Sequence, residues 1–293
     1  MFQSTLSRRQ WLASSISFAA APLLIAKAAR TIGVQLYTVR GTLMNDSDHV
    51  LKTIAEIGYK EIEGANRADL IALIPQIKAL GMTPVSCHVE TPLITGDWEK
   101  YKNLKQVPVE EAIESLKKAG VEYFTMDYIQ TQARGDLDFY RKTADNMNRT
   151  AELCHKAGLK FAYHNHAFEF AGKKGERPID IFHDRLDKKL VALELDVFWV
   201  SVAGNDPVET MHLWKGRVGL LHLKDKAKGI PAQYTETVPK TTFMEVGSGS
   251  LDFPAILKAA PAAGVKHYFV EQDQTVGDPL DSLKKSFEYL KTV

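Results

Sequence analysis

From Thr31 onward, short apolar runs alternate with longer amphipathic stretches about eight times, without a break in composition. No other feature constrains the fold as tightly. Repeated strand–helix units can bury their apolar faces only in a parallel sheet covered by helices. The strand runs are IGVQLYT (32–38), YKEIEGA (59–65), MTPVSCHV (82–89), VEYFTMD (121–127), LKFAYHNH (159–166), LVALELDVF (190–198), VGLLHLKD (218–225) and VKHYFVEQ (265–272). Apolar spacing of three and four predicts helices over 48–57, 67–80, 108–119, 137–157 and 279–291. Gly58, Gly81, Gly120, Gly158 and Gly264 follow amphipathic stretches, where a left-handed cap turns a helix into the next strand. Eight such units predict a single-domain α/β fold, a (β/α)8 TIM barrel, over residues 29–293. An open doubly wound sheet uses the same alternation but carries a glycine-rich loop after its first strand, and none follows QLYT. The longest irregular segment, 226–249, follows the seventh strand and so belongs at the C-terminal mouth of the barrel, where loops of that length usually serve function.

Residues 1–28 are set apart. Ser7-Arg8-Arg9-Gln10-Trp11-Leu12 precedes an uncharged, Ala-rich run to Ile25 and then Ala26-Lys27-Ala28, which is the pattern of a twin-arginine signal peptide. The apolar run is short and diluted by serines, so a retained membrane anchor is the weaker reading, and a periplasmic location is expected. Loss of Arg8, Arg9 and Lys27 with no acid moves the formal charge from +1 to −2. A near-neutral chain offers no basic stripe for nucleic acid. No stable membrane span is expected once the leader is removed, and association into a homo-oligomer is left open. Cys87 and Cys154 allow one bridge at most, which is no disulfide framework, and two separate buried thiols are expected.

In a barrel of this kind, reactive groups stand at the C-terminal strand ends. Those ends carry His88 and Glu90, His164 and His166, Glu194 and Asp196, His222 and Lys224, and Glu271. Alternation puts the members of each pair on one face. Charges this dense inside a barrel are costly unless partnered, and a divalent cation held by imidazole and carboxylate satisfies them. Asp196, His222 and Glu271, from three successive strands, form a mixed nitrogen and oxygen set suited to manganese, zinc, cobalt or magnesium. Taken singly, each has an ordinary alternative: a strand-end His bonded to backbone, or an Asp capping a helix.

Together GVQLYTVR, IGYKEIEG, FAYHNHAFEF, ELDVFWVSVAGNDP, LLHLKDKAKG, EVGSGSLDF and HYFVEQDQ resemble the xylose isomerase-like TIM-barrel superfamily, the sugar phosphate isomerase/epimerase group, over residues 31–292. In the ketose epimerases of that group a metal is held by Glu, Asp, His and Glu on strands five to eight. The resemblance therefore implies Asp196, His222 and Glu271 as ligands, with His164 in place of the first Glu. Because those epimerases use two glutamates as proton carriers on opposite faces, the His164 replacement favours chemistry that needs one base.

The resemblance implies a carbohydrate substrate and a divalent cation. It points to proton abstraction next to a carbonyl of a sugar, polyol or keto-glycoside, leading to isomerisation or epimerisation. Glu271, His166 and Lys224 are the candidate catalytic groups, and Gln35, Tyr37, His88, Glu169 and Trp199 the candidate substrate-binding ones. Elimination, as in a dehydratase or a 3-keto-glycoside-cleaving lyase, is the alternative on the same residues. A sugar-binding barrel without catalysis is the alternative from another class. An endonuclease IV-type nuclease would need more ligands and a basic groove. A phosphorylated substrate is the less expected one, since it would want a basic clamp or a glycine-rich helix start, for which EVGSGSLDF is the one source of backbone donors.

Overall fold

Eight parallel strands close into a barrel: β1 (Gly33–Gln35), β2 (Glu61–Gly64), β3 (Thr83–Val89), β4 (Tyr123–Met126), β5 (Lys160–His164), β6 (Val191–Asp196), β7 (Val218–Leu223) and β10 (His267–Val270). A short antiparallel pair, β8 (Asp225–Lys226) with β9 (Phe243–Met244), stands outside the barrel. The structure, a computed structural model, describes Met1 and residues 30–293; the leader pattern of residues 1–28 falls, Met1 aside, outside the described residues. Pairing of β1 with both β2 and β10 closes the cylinder. Each barrel strand lies inside a run predicted from the alternation.

Every strand is shorter than its run, and at the C-terminal ends of two of them local hydrogen bonding explains the stop. The run 190–198 stops at Asp196 because Asp196 Oδ1 accepts from the Phe198 and Trp199 N–H groups and starts the helix Val197–Val202. The run 159–166 stops at His164 because the Glu169 carboxylate takes the His166 N–H and turns the chain. The longest helix, Leu137–Ala157, shows how the outer layer is specified: Asp136 caps its first turn, His155 and Lys156 sit in its last, and Gly158 ends it at φ 87°.

The barrel interior has two levels. Toward the N-terminal ends it is an apolar plug of Val85, Tyr123, Ala162, Leu220 and Phe269, all buried. Gly33 is required there, since a Cβ would stand 2.5 Å from the Phe269 ring. Burying a phenylalanine of that kind contributes about 1.5–3 kcal/mol. Above the plug the lining becomes ionic, with Glu63, His88, His164, Glu194, Asp196 and His222 all buried.

The 226–249 segment is tied at both ends. The β8–β9 pair holds its flanks, and Asp225 accepts from the N–H groups of Gly247 at 3.0 Å, Gly249 at 2.8 Å, and Ser250 and Leu251 at 3.1 Å. The backbone donors of EVGSGSLDF are therefore already used by a carboxylate of the chain itself. Gly249 is needed for this approach, because a Cβ would lie 2.4 Å from Asp225 Oδ1. Cys87 and Cys154 are separate, buried thiols. Among the described residues no helix is long and apolar enough to cross a membrane.

Candidate active site

Strand register brings the predicted ligands together. Asp196 stands directly across from His222, whose other neighbour in register is Phe269, two residues before Glu271. His222 Nδ1 lies 2.9 Å from Glu271 Oε2 and 3.9 Å from Asp196 Oδ2, and His164 Nε2 lies 3.8 Å from that same Asp196 oxygen. Donor atoms of Asp196, His222 and Glu271 fall within 4.8 Å of one another. A second set, His88, His164, Glu194 and His222, meets the same limit deeper in the barrel. Three of the four predicted ligands thus form one group, and His164 belongs by distance to the deeper one while facing both.

Two residues that sequence reasoning did not name as site residues explain the orientation of the imidazoles. Glu63 Oε2 lies 2.5 Å from His222 Nε2, and Glu194 Oε2 lies 3.0 Å from His164 Nδ1 and 2.8 Å from His88 Nε2. Each imidazole nitrogen turned toward Asp196 therefore has its ring partner on a buried carboxylate, the arrangement that fixes the tautomer of a metal-ligating histidine. Asp196 does both things its residue type allows: Oδ1 caps a helix, and Oδ2 faces the centre. Glu63 Oε1 and Glu194 Oε1 are buried with no hydrogen-bond partner among the described residues. Buried carboxylate oxygens left without a partner beside converging imidazoles are what a divalent cation satisfies, so the residues fit one.

The charges are strongly coupled. Burial opposes the Glu63 carboxylate, but His88 and His222 outweigh it and hold its pKa at about 2. Burial, with Glu63 adding repulsion, lifts Glu194 to about 7. Burial works against a charged His88 too, yet Glu63 and Glu194 raise it to about 9. For His164 and His166, burial, then nearby positive groups, pushes the pKa well below the usual range, leaving neutral rings. Burial opposes the charge of Glu271 as well, but Lys224 and His222 keep it ionised well below the usual carboxylate range.

Lys224 is fully buried. Its Nζ lies 3.0 Å from Asp196, 2.7 Å from Glu271 and 2.5 Å from Asp273, so one ammonium is shared by three carboxylates. Desolvation disfavours that charge, but the carboxylates prevail and the pKa rises well above that of an ordinary lysine.

Above these groups opens a cavity of about 360 Å³. Of the predicted catalytic residues, His166, Lys224 and Glu271 all line it. Of the predicted substrate-binding residues, Gln35, Tyr37, His88 and Trp199 line it as well. Gln35 is held at both ends, accepting from the Tyr37 N–H while its Nε2 lies 3.2 Å from His88 Nδ1. Trp199 is 2% exposed, yet its Nε1 has no partner among the described residues and its ring stands 5.5 Å from that of His166. Glu169 is a correction: it does not line the cavity. It is fully buried, accepts from Tyr163 Oη at 2.5 Å and from the His166 N–H, and holds the turn after β5. Asp127, Tyr128, Glu236 and Asp273 line the cavity without having been singled out. They sit just past strand ends or within the long loop, where no periodicity marks them.

Comparison with known proteins agrees with this geometry. The family described as xylose isomerase-like TIM barrel matches residues 51–293. An inosose dehydratase of Geobacillus thermodenitrificans (strain NG80-2) is 27% identical over 157 residues, covering 50% of this chain and 52% of the relative. The match to that relative thus spans about half of its length. A sugar phosphate isomerase/epimerase of Parabacteroides distasonis ATCC 8503 superposes with a TM-score of 0.75 at 22% identity, covering 92% of this chain and 98% of that one. The IOLI protein, solved with a zinc atom bound, gives a TM-score of 0.66 at 17% identity over 89% of this chain and 98% of that one.

Proposed function

Since the chain belongs to the xylose isomerase-like TIM-barrel family, we propose that it is a divalent-metal-dependent enzyme that removes a proton next to a carbonyl of a sugar, cyclitol or keto-glycoside. The observation that carries this reading is the convergence of Asp196, His222 and Glu271, joined by His164 Nε2, beside a cavity that His164 and Glu271 line. A cation bound by these groups would polarise a carbonyl oxygen as a Lewis acid and so make the adjacent C–H more acidic. Glu63 and Glu194 hold the imidazoles of His222 and His164 with their ligating nitrogens turned to the centre. Glu271 is ionised, lines the cavity and is the base within reach of a substrate there. Lys224, charged and bonded to Glu271, would hydrogen-bond an oxygen that gains negative charge on that side. His166, neutral and with Nδ1 lacking a partner among the described residues, stands on the wall as a hydroxyl contact or proton relay.

Between outcomes, elimination has specific support. The strand-five position carries His164, so a second carboxylate base is missing from the set, and one base beside one acid suits loss of water better than two-sided epimerisation. The inosose dehydratase relative points the same way. The twin-arginine pattern of residues 1–28 supports periplasmic action as part of this proposal.

The test is to load the protein with manganese, zinc, cobalt or magnesium and incubate it with ketoses, inososes and 3-keto-glycosides in deuterated water. Deuterium entering the carbon beside the carbonyl, dependent on metal and lost in Glu271→Gln, is expected. Sugar binding with no bound metal and no exchange across the panel would leave a binding protein without catalysis.

A further inference from the structure

We propose that the cavity is built for a neutral polyhydroxylated ring and against a phosphorylated one, with Glu236 as the residue that sets this preference. The inference rests on the proposed function for its site and goes further in naming the substrate class. Glu236 comes from the middle of the 226–249 segment and lines the cavity. Its Oε2 accepts from Arg134 Nη2 at 3.1 Å and from Tyr128 Oη at 3.3 Å, which leaves Oε1 buried with no partner among the described residues. Arg134 is itself fixed: its guanidinium lies 3.6 Å over the Phe168 ring, and its Nε donates to the Ile129 carbonyl. Glu236 is thus a clamped carboxylate with one free acceptor.

That acceptor belongs to a continuous wall. Tyr128 stacks edge-on against His166 at 4.8 Å between centroids, and His166 faces Trp199 at 5.5 Å. Along this arc His166 Nδ1 and Trp199 Nε1 are also buried and unpartnered. Three polar atoms with unused hydrogen-bonding capacity, set on aromatic surface, match hydroxyl groups on a ring with apolar faces.

The same wall is poorly disposed to phosphate. Four carboxylates line the cavity, Asp127, Glu236, Glu271 and Asp273, against Arg40, Lys224 and His88, whose charge is already held by Glu63 and Glu194. Lys224 is already shared by Asp196, Glu271 and Asp273. Arg40, exposed on the rim, spends Nη1 on the carbonyls of Tyr37 and Asp273. The backbone N–H groups of the glycine-rich turn, the donors a phosphate would need, are taken by Asp225. A dianion beside Glu236 would meet like charge in a poorly solvated site.

The test is calorimetric titration of the zinc-loaded full chain with matched pairs, D-fructose against D-fructose 6-phosphate and myo-inositol against its 1-phosphate. The wild type is expected to bind at least one neutral member at least tenfold more tightly than its ester. Glu236→Gln, which keeps the shape and the Arg134 contact, is expected to weaken the neutral ligand by about tenfold, the loss of one charge-assisted hydrogen bond, and to narrow the gap to the ester. Equal or tighter binding of the ester, above all if Arg40→Ala removes it, overturns the proposal. So does failure of every neutral member to bind, or a Glu236→Gln affinity within twofold of wild type. Deuterium exchange into a phosphate ester but not its neutral partner would sink this inference and spare the proton chemistry. Neutral binding without exchange would do the reverse.

Discussion

Glu63→Gln tests the architecture beneath the cavity more directly than any change within it. Glu63 is fully buried, 2.5 Å from His222 Nε2 and 3.4 Å from His88 Nε2, and its pKa of about 2 keeps it charged at any working pH. Glutamine preserves the volume but removes the charge and can present an amide N–H to His222, which would leave the ring free to take the wrong tautomer. Removing an oriented carboxylate behind a metal-bound histidine typically weakens the metal by roughly 10–100-fold, or about 1.4–2.7 kcal/mol at 1.4 kcal/mol per decade. The assay is titration of metal-free protein with manganese and cobalt by calorimetry, with the cobalt visible spectrum as an independent report on ligand geometry. One ion per chain, a dissociation constant raised within that range and a shifted cobalt spectrum are expected. An affinity within threefold of wild type would refute the orienting role. Two ions of similar strength per chain would show that the deeper set of His88, His164, Glu194 and His222 is itself an ion site, and that Glu63 serves something else.

Three other changes follow from the same contacts. Lys224→Met leaves Asp196, Glu271 and Asp273 facing one another without their shared ammonium, so the metal-free protein should lose about 3–5 kcal/mol, and thermal melts with and without manganese should show the ion restoring much of it. Asp225→Ala removes the acceptor of four distant N–H groups; hydrogen bonds to a charged group contribute about 1.5–3 kcal/mol each, and since water reaches part of this turn, a net loss of about 3 kcal/mol in guanidinium unfolding is expected, with a change under 1 kcal/mol arguing against the staple. Burial, offset in part by Tyr163 and the His166 N–H, lifts the Glu169 carboxyl from 4.5 to about 8. Between those values the unfolded chain has released the proton and the folded chain still holds it, so stability should fall as pH rises through that window and level off above it. Glu169→Gln, a mimic of the protonated acid, should flatten that slope in urea unfolding from pH 5 to pH 8.

The barrel was legible because its signal is local and repeated: β-branched and aromatic runs, amphipathic helices and glycine stops recur within about 30 residues of one another. Asp196, His222 and Glu271 were legible for a related reason, since strand-end position and alternation place them without knowledge of distant contacts. Glu63 escaped. In KEIEG it looks like one of two solvent-facing acids on a strand, and only closure of β1 onto β10 carries it to His222, 159 positions away. Glu194 stood at a strand end, but which histidine nitrogen it would face depends on stagger across the barrel, which no run of residues encodes. Asp127, Tyr128 and Glu236 come from connections whose paths are set by caps and tethers such as Asp225, so their approach to the cavity is a property of the assembled mouth. Glu169 stands close in sequence to the His164 strand end, but the tight turn after His164 directs its side chain back onto the His166 N–H.

The anchoring of the 226–249 segment at its two ends has an evolutionary corollary. With the roots secured by β8, β9 and the Asp225 turn, the stretch between them can be exchanged, lengthened or recoded while the cylinder and its cluster of Asp196, His222 and Glu271 stay intact. New ligand preferences could then arise by swapping an interior insert of roughly a dozen residues, much as a tool changes its bit and keeps its chuck.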